Sequence, residues 1–504
     1  MTRTTMQVLY ITDVEGNWDY FDAFVAVAGR EDGPHGGALS FTDDSKTQLT
    51  LRDGYIFVFG GDVGDKGVGT LRIIMLLVDL KQRYPGRVVL IAGNRDINKM
   101  RWTSEFTDIE MCLSTMDPGI KDGPHWLPMN SRQRLGLLPY LCKDILGLST
   151  LLDECSPEVD AANTRVHRML WMLKCTMGSD GDFERRRTEL GLLHHTAVDD
   201  DAVLASFLDS VGDGGIMREY LTLCVLGFIH GTTLFIHGGV VGVDGGGADG
   251  QRTLKSCLGL VPPADSRTEP YARWVDAVNA GSVARTDDIA QWIDELNAWY
   301  LAQIHEWIAH PTWDATHSFR GGENIQHYVH TGAPYSVVSG RHLEKSGMPC
   351  RMTRAMTEHL WHQGIHRMII GHTPHGNAPT VVKHALAPDN VFEVIMCDTS
   401  YSDVKAKDMR GTCVSMLLVD DDERVWVEGH ICCDSDDVAI DVDYGFATVD
   451  DPYVGHDLLT GEFVKTRLND AQYLLCTVAN EYTYTYKVVD RSVVAATVAV
   501  QPLV

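Results

Sequence analysis

The chain has 504 residues, 44% of them hydrophobic and 22% charged. These proportions exclude a wholly disordered, collagen-like or coiled-coil polypeptide, and the length implies a large core with insertions or two to three domains. With 69 acidic against 43 basic residues the formal charge is −26, which argues against a broad phosphate-backbone-binding surface, because such surfaces concentrate Lys and Arg to release counterions. No nucleic-acid partner is expected. The 12 cysteines include no CxxC pair, a usage that suits a reducing compartment. The amino-terminal residues lack the apolar region of a secretory signal, and apolar runs such as 73–78 and 221–229 fall short of the ~20 residues a membrane helix needs. A cytoplasmic protein with no membrane partner is the expectation.

Six segments share one design: a short β-branched or aromatic run that halts at Gly or a polar residue. They are 8–12 before Asp13, 55–59 before Gly60-Gly61-Asp62, 88–91 before Gly93-Asn94, 233–236 before His237-Gly238-Gly239, 367–370 before Gly371-His372, and 391–396 before Cys397-Asp398. Each reads as a strand buried on both faces. Helical spacing over 69–84 and 352–364 separates some of them, so the order of elements predicts an α/β layered core. In such sheets ligands bind beyond the carboxyl ends of the strands, where Asp13, Glu15, Asp62, Asn94, His237 and His372 all fall. Each alone reads as a helix cap or turn residue. Five strand ends that all supply Asp, Asn or His, all of them metal-ligand types, converge on one site.

The core is expected over 1–100 and 225–435, interrupted by a helical cap at 101–224 and by a partly helical insertion at 245–343. Within the latter, Ile289, Trp292, Ile293, Leu296, Trp299 and Tyr300 recur at helical spacing and read as a packed helix face. Segments 411–420 and 424–431 read as a hairpin, and 436–504 as a small β-rich appendage.

Asp13-Val14-Glu15 and Gly61-Asp62-Val63-Gly64-Asp65-Lys66-Gly67 crowd four carboxylates together. Uncompensated crowding raises carboxylate pKa values and costs stability, so bound cations are the natural resolution. The ordered series Asp13-Val14-Glu15, Gly61-Asp62-Val63-Gly64-Asp65, Gly93-Asn94-Arg95-Asp96, His237-Gly238 and Gly371-His372-Thr373-Pro374 resembles the calcineurin-like metallophosphoesterase superfamily. The form of the motifs is most similar to its protein Ser/Thr phosphatase and diadenosine-tetraphosphatase-like branch. The resemblance covers about residues 7–100 and 225–430 and implies a β-sandwich flanked by helices. It also implies two divalent ions, one held by Asp13, Glu15 and Asp62, the other by Asp62, Asn94, His237 and His372. A hydroxide between them would attack phosphorus in line.

Two departures alter that picture. Glu15 stands where the family carries His; an added oxygen ligand favours a harder ion, so manganese or magnesium is expected over zinc, with iron a further alternative. Arg95 stands where the family carries a His that, paired with the acid matched by Asp65, protonates the leaving group. Arg stays charged and cannot be that acid, so either protonation is lost or the guanidinium stabilises the departing oxygen. Asp62, Asp65 and Arg95 are the catalytic candidates, and Lys66, Arg95, Arg101 and His375 the substrate-binding ones. Asn98 and Lys99 lie near the expected mouth, Arg185-Arg186-Arg187 reads as an anion clamp or a solvated helix face, and His230 as structural.

The leading functional expectation is a phosphomonoesterase acting on a phosphoprotein or small phosphate ester. A dinucleoside polyphosphate or other phosphoanhydride hydrolase is the alternative, and a catalytically decayed phosphate-binding scaffold a third.

Overall fold

A computed structural model describes residues 6–31, 36–116, 118–123, 135–243, 254–330, 333–344, 346–387, 390–399, 413–435, 438–458, 461–480 and 483–498. The larger of its two main sheets has seven strands, in the order Val438–Ala447, Val425–Ser435, Cys413–Val419, Gln7–Ile11, Tyr55–Phe59, Val88–Ile91 and Cys224–Val225. The last four run parallel and the first three antiparallel. The second sheet has five strands, in the order Thr380–Ala387, Asn390–Met396, Arg367–Ile370, Thr233–Ile236 and Gly227–His230. Its three middle strands are parallel.

Side chains alternate across each strand, and that alternation builds the layers. Val8, Tyr10, Ile56 and Val58 of the first sheet share one apolar cluster with Phe235, Ile369, Val381 and Ile395 of the second. The intervening Leu9, Ile11, Phe57 and Phe59 point the other way, against Phe21, Phe24, Ile73 and Leu77 of helices Trp18–Ala28 and Thr70–Arg83. The result is the α/β sandwich of two sheets between helices that the motif order implied.

From Arg101–Glu105 to Ile216–Leu223 every described element is helical. The long helix Ile289–Ala309 buries Trp292, Trp299, Tyr300 and Trp307, and the Trp292 and Trp299 indoles donate to the Leu260 and Pro263 carbonyls, so its aromatics are a packed face. The β-rich region expected to begin as an appendage at 436 instead continues the core, because Val438–Ala447 pairs along its length with Val425–Ser435 and extends the seven-stranded sheet. Only later strands, Phe463–Arg467, Gln472–Asn480 and Thr483–Asp490, form a separate three-stranded sheet. Its Val464, Leu474 and Leu475 join the apolar layer between the main sheets. Among the described residues no helix is long and apolar enough to cross a membrane.

Phe57 is fully buried, with its ring centroid 6.1 Å from that of Phe24. Phe57→Ala is expected to cost about 3–5 kcal/mol, read as a lower midpoint in urea unfolding; a shift under about 1 kcal/mol would show that the helix layer closes over the gap.

Candidate functional site

The parallel strands of both sheets end at one edge, and the polar residues that follow them meet there. The loop after Gln7–Ile11 is laced to the loop after Tyr55–Phe59: Asp13 N–H donates to Gly61 O at 2.9 Å, Glu15 N–H to Asp62 O at 3.0 Å, and Lys66 N–H to Glu15 O at 2.7 Å. Within the second sheet Gly371 N–H donates to His237 O at 2.7 Å, and across the sandwich His372 N–H donates to Asp13 Oδ2 at 3.0 Å. Asp13, Glu15, Asp62, Asp65 and His372 all adopt left-handed backbone, with φ of 51°, 50°, 55°, 111° and 66°. Each such residue stores of the order of 1–3 kcal/mol and persists only where its surroundings over-determine it, a pattern that collects at functional sites.

Glycine lets the loops close. A Cβ on Gly61, at φ 101°, would lie 2.8 Å from His237 Nδ1, and a Cβ on Gly93 would overlap the Asp62 carboxylate. Asp96, a residue the motif reading gave no role, ties this region together. Its carboxylate accepts from Asp62 N–H at 3.0 Å, Val63 N–H at 2.9 Å and Gly93 N–H at 2.9 Å. Its place as the last residue of Gly93-Asn94-Arg95-Asp96 was its sequence signal, and it lies at the third position of the helix Asn94–Asn98, whose cap is Gly93.

Among the described residues, Asp62, His237 and His372 form the group of acidic and imidazole side chains close enough to share one cation, with their donor atoms within 4.8 Å of one another. Asn94 joins them: its Oδ1 lies 2.8 Å from His372 Nδ1 and 3.3 Å from His237 Nε2. All three group members are buried, and His372 Nε2 has no hydrogen-bond partner. An orphaned buried ring nitrogen is costly unless something else satisfies it. Burial and the charges of Arg341, His237 and Arg95 push His372 well below its ordinary pKa, so its ring is neutral and offers a lone pair. Burial also disfavours a charged His237, but the Asp62 and Asp13 carboxylates outweigh it and lift that imidazole to about 10. Burial, with Asp398 and Asp62, raises Asp13 well above the usual carboxylate range. A divalent cation held by these side chains would relieve the charge of the Asp62 and Asp13 carboxylates and would displace the His237 proton. The donor set therefore fits a divalent ion.

Glu15 and Asp65 meet a different fate. Arg95 Nε lies 2.9 Å from Glu15 Oε1 and 3.6 Å from Asp62 Oδ2, while Arg95 Nη1 lies 3.2 Å from Asp65 Oδ2. Lys66 Nζ approaches Glu15 Oε1 at 3.1 Å, and Lys99 is paired with Asp65. Burial would raise Asp65, but Lys99 and Arg95 outweigh it and hold the carboxyl below its usual range. An acid held ionised in this way has no proton to give.

Other candidates lie elsewhere. Arg101 is spent on Glu105, at 2.7 and 3.0 Å, with Asn98 and Thr176 completing its contacts, so it does not reach the cluster as a substrate contact. His375 is buried beside Phe463 and Tyr484 of the carboxyl-terminal sheet, with Nδ1 2.8 Å from Thr380 Oγ1 and Lys465 against it, which removes it from any substrate. Arg185 donates to the carbonyls of Asp65 and Asp180 at 2.9 and 2.8 Å, Arg186 binds Ser206, and Arg187 pairs with Glu184 and Asp200. Arg185 ties the helical insertion to the acidic loop, Arg186 bonds within the insertion, and Arg187 lies on its surface with exposed acids. His230 is structural, its Nε2 2.9 Å from Met6 O. Arg341, whose charge bears on His372, escaped the sequence reading because it follows no strand end.

No family model and no curated protein sequence matches the chain. Solved structures similar to it include a cold-active protein-tyrosine phosphatase of a psychrophile, Shewanella sp., at 12% identity over 84% of this chain and 77% of that one, with a TM-score of 0.37. Another is a protein serine/threonine phosphatase from Saccharomyces cerevisiae, at 9% identity over 87% of this chain and 84% of that one, with a TM-score of 0.32. Likeness this distant says nothing of substrate, and the functional reading rests on the side chains.

Asp96→Ala orphans three buried N–H groups, and at ~1–3 kcal/mol each the variant is expected to lose about 3 kcal/mol or more. Urea unfolding measures it, and a loss below about 1 kcal/mol would mean that the two loops hold each other without Asp96.

Proposed function

We infer that the chain is a metal-dependent phosphoester hydrolase acting on a phosphomonoester, carried by a protein or a small molecule. One observation carries the reading: buried Asp62, His237 and His372 meet within 4.8 Å, beside the cations Arg95 and Lys66 on the Glu15 and Asp65 carboxylates. A divalent ion on Asp62, Asn94, His237 and His372 supplies Lewis acidity toward a phosphoryl oxygen and a more acidic water. The chain's own residues do the rest. Arg95, with 18% of its side chain exposed, and Lys66, with 13%, present planar and point-charge donors to the remaining phosphoryl oxygens. Asp13 positions the His372 backbone through the 3.0 Å bond to its N–H. Lys99 and Arg95 keep Asp65 ionised, so Asp65 orients the guanidinium and does not protonate the leaving group.

That last point favours a second substrate class. With neither Asp65 nor Arg95 able to donate a proton, leaving groups that depart as stable anions react best, as in phosphoanhydrides of the dinucleoside polyphosphate type.

Manganese-supported hydrolysis of an aryl phosphate is expected to fall at least ~10³-fold in Asp62→Ala, and alkyl phosphates are expected to react ~10²-fold or more slowly than aryl phosphates in the intact chain, the size of a missing general acid. Equal rates for Asp62→Ala and the intact chain would remove the assignment, and equal rates for alkyl and aryl esters would show that a proton donor is present.

A further inference from the structure

We propose that the centre is built for a single divalent ion, and that the Arg95 guanidinium stands in the electrostatic place of a second. This rests on the reading of the edge cluster as a cation centre and concerns how that centre is composed.

The first argument is geometric. The carboxylates that a second ion needs are Asp13, Glu15 and Asp62. Glu15 is engaged by Arg95 Nε at 2.9 Å and by Lys66 Nζ at 3.1 Å, and the same guanidinium reaches Asp62 Oδ2 at 3.6 Å and Asp65 Oδ2 at 3.2 Å. Its Nη1 also donates to Gly178 O at 3.2 Å in the helical insertion, so the side chain is anchored at both ends of its fork. Asp13 Oδ2 accepts the Thr12 hydroxyl at 2.6 Å and His372 N–H at 3.0 Å. Its role is to hold the His372 loop.

Charge gives the second argument. Around Glu15 and Asp65 stand Arg95, Lys66 and Lys99, which neutralise those two carboxylates and share a further positive charge with Asp62. A dication placed on Glu15 would sit against two fixed cations, Arg95 at 2.9 Å and Lys66 at 3.1 Å, whereas no Lys or Arg among the described residues lies as close to Asp62, which Arg95 approaches at 3.6 Å. Among the described residues the shared-cation group contains neither Glu15 nor Asp13. Asp62 Oδ1 lies 3.4 Å from His237 Nε2, and Asn94 Oδ1 lies 3.3 Å from that nitrogen and 2.8 Å from His372 Nδ1, so these four donors close on one position.

A fixed guanidinium differs from an ion in what it offers. It presents several N–H donors in one plane, is never lost to chelators, and cannot acidify a bound water. Two tasks that a pair of ions shares are thereby divided: phosphate orientation and charge neutralisation go to Arg95, water activation to the lone ion. The preference for a harder ion that was expected from Glu15 as a ligand falls with this arrangement, since two imidazoles, one carboxylate and one amide oxygen remain.

Manganese is the probe. The intact chain, saturated with Mn²⁺ and freed of excess, is expected to retain one ion by elemental analysis and to give the electron paramagnetic resonance spectrum of an isolated Mn²⁺. Arg95→Ala is expected to take up two, with the spectrum of a spin-coupled pair, and Arg95→Lys, which keeps the charge, to stay at one. Two coupled ions in the intact chain would overturn the proposal while leaving the hydrolase reading standing. No retained ion would overturn both. Arg95→Ala that folds by circular dichroism yet stays at one ion would show that the guanidinium does not hold the second position; should that variant not fold, the count in the intact chain decides alone.

Discussion

Buried like charge is the constraint on which this protein's architecture turns. Asp13, Glu15, Asp62, Asp65 and Asp96 are each no more than 3% exposed at one edge of the sandwich. Water screens none of them well, so each must be bonded, paired or protonated. Asp96 is satisfied by three backbone N–H groups, and Asp65 and Glu15 by Lys99, Arg95 and Lys66. Asp62 and Asp13 face His237, whose imidazole their charge raises against burial, while burial leads the rise of Asp13 itself. Positive charge is unevenly distributed across a few ångströms, and that unevenness is what gives the centre a polarity.

The same charges tie distant parts of the chain to the centre. Arg95 reaches Gly178 and Arg185 reaches the Asp65 carbonyl, so the helical insertion is fastened to the acidic loops by two guanidinium groups. The left-handed residues are held by this lattice of bonds. Asp13, Glu15 and Asp62 are bracketed by backbone bonds between adjacent loops, and His372 by the Asp13 carboxylate. Strain of this kind survives only when neighbours leave no relaxed alternative.

Much of the fold could be read from periodicity. Strands at 55–59, 88–91, 233–236 and 367–370 coincide with Tyr55–Phe59, Val88–Ile91, Thr233–Ile236 and Arg367–Ile370, because short β-branched runs ended by glycine have few other uses. The hairpin around Asp420 was equally plain. Its continuation into Val438–Ala447 was not, since a third antiparallel strand carries no mark that tells a core edge from an appendage. At the site, Arg101 illustrates a signal that was present and passed over: Glu105 lies four residues on, the spacing at which helical side chains pair. His375 shows the opposite case. Its neighbours Phe463, Lys465 and Tyr484 arrive from about 90 to 110 residues further along, and no local pattern announces them.

Sequence alone determined the kinds of atom that arrive at the edge: strand ends place a side chain by counting, and Asp, Asn and His after parallel strands must converge once the sheets form. Tertiary structure alone decided which of those atoms face one another. Arg95 falling on Glu15 and Asp65, Lys99 on Asp65, and His372 on Asn94 depend on how each loop turns through its left-handed residues. Those turns are set by bonds between loops far apart in the chain, which residue spacing does not encode.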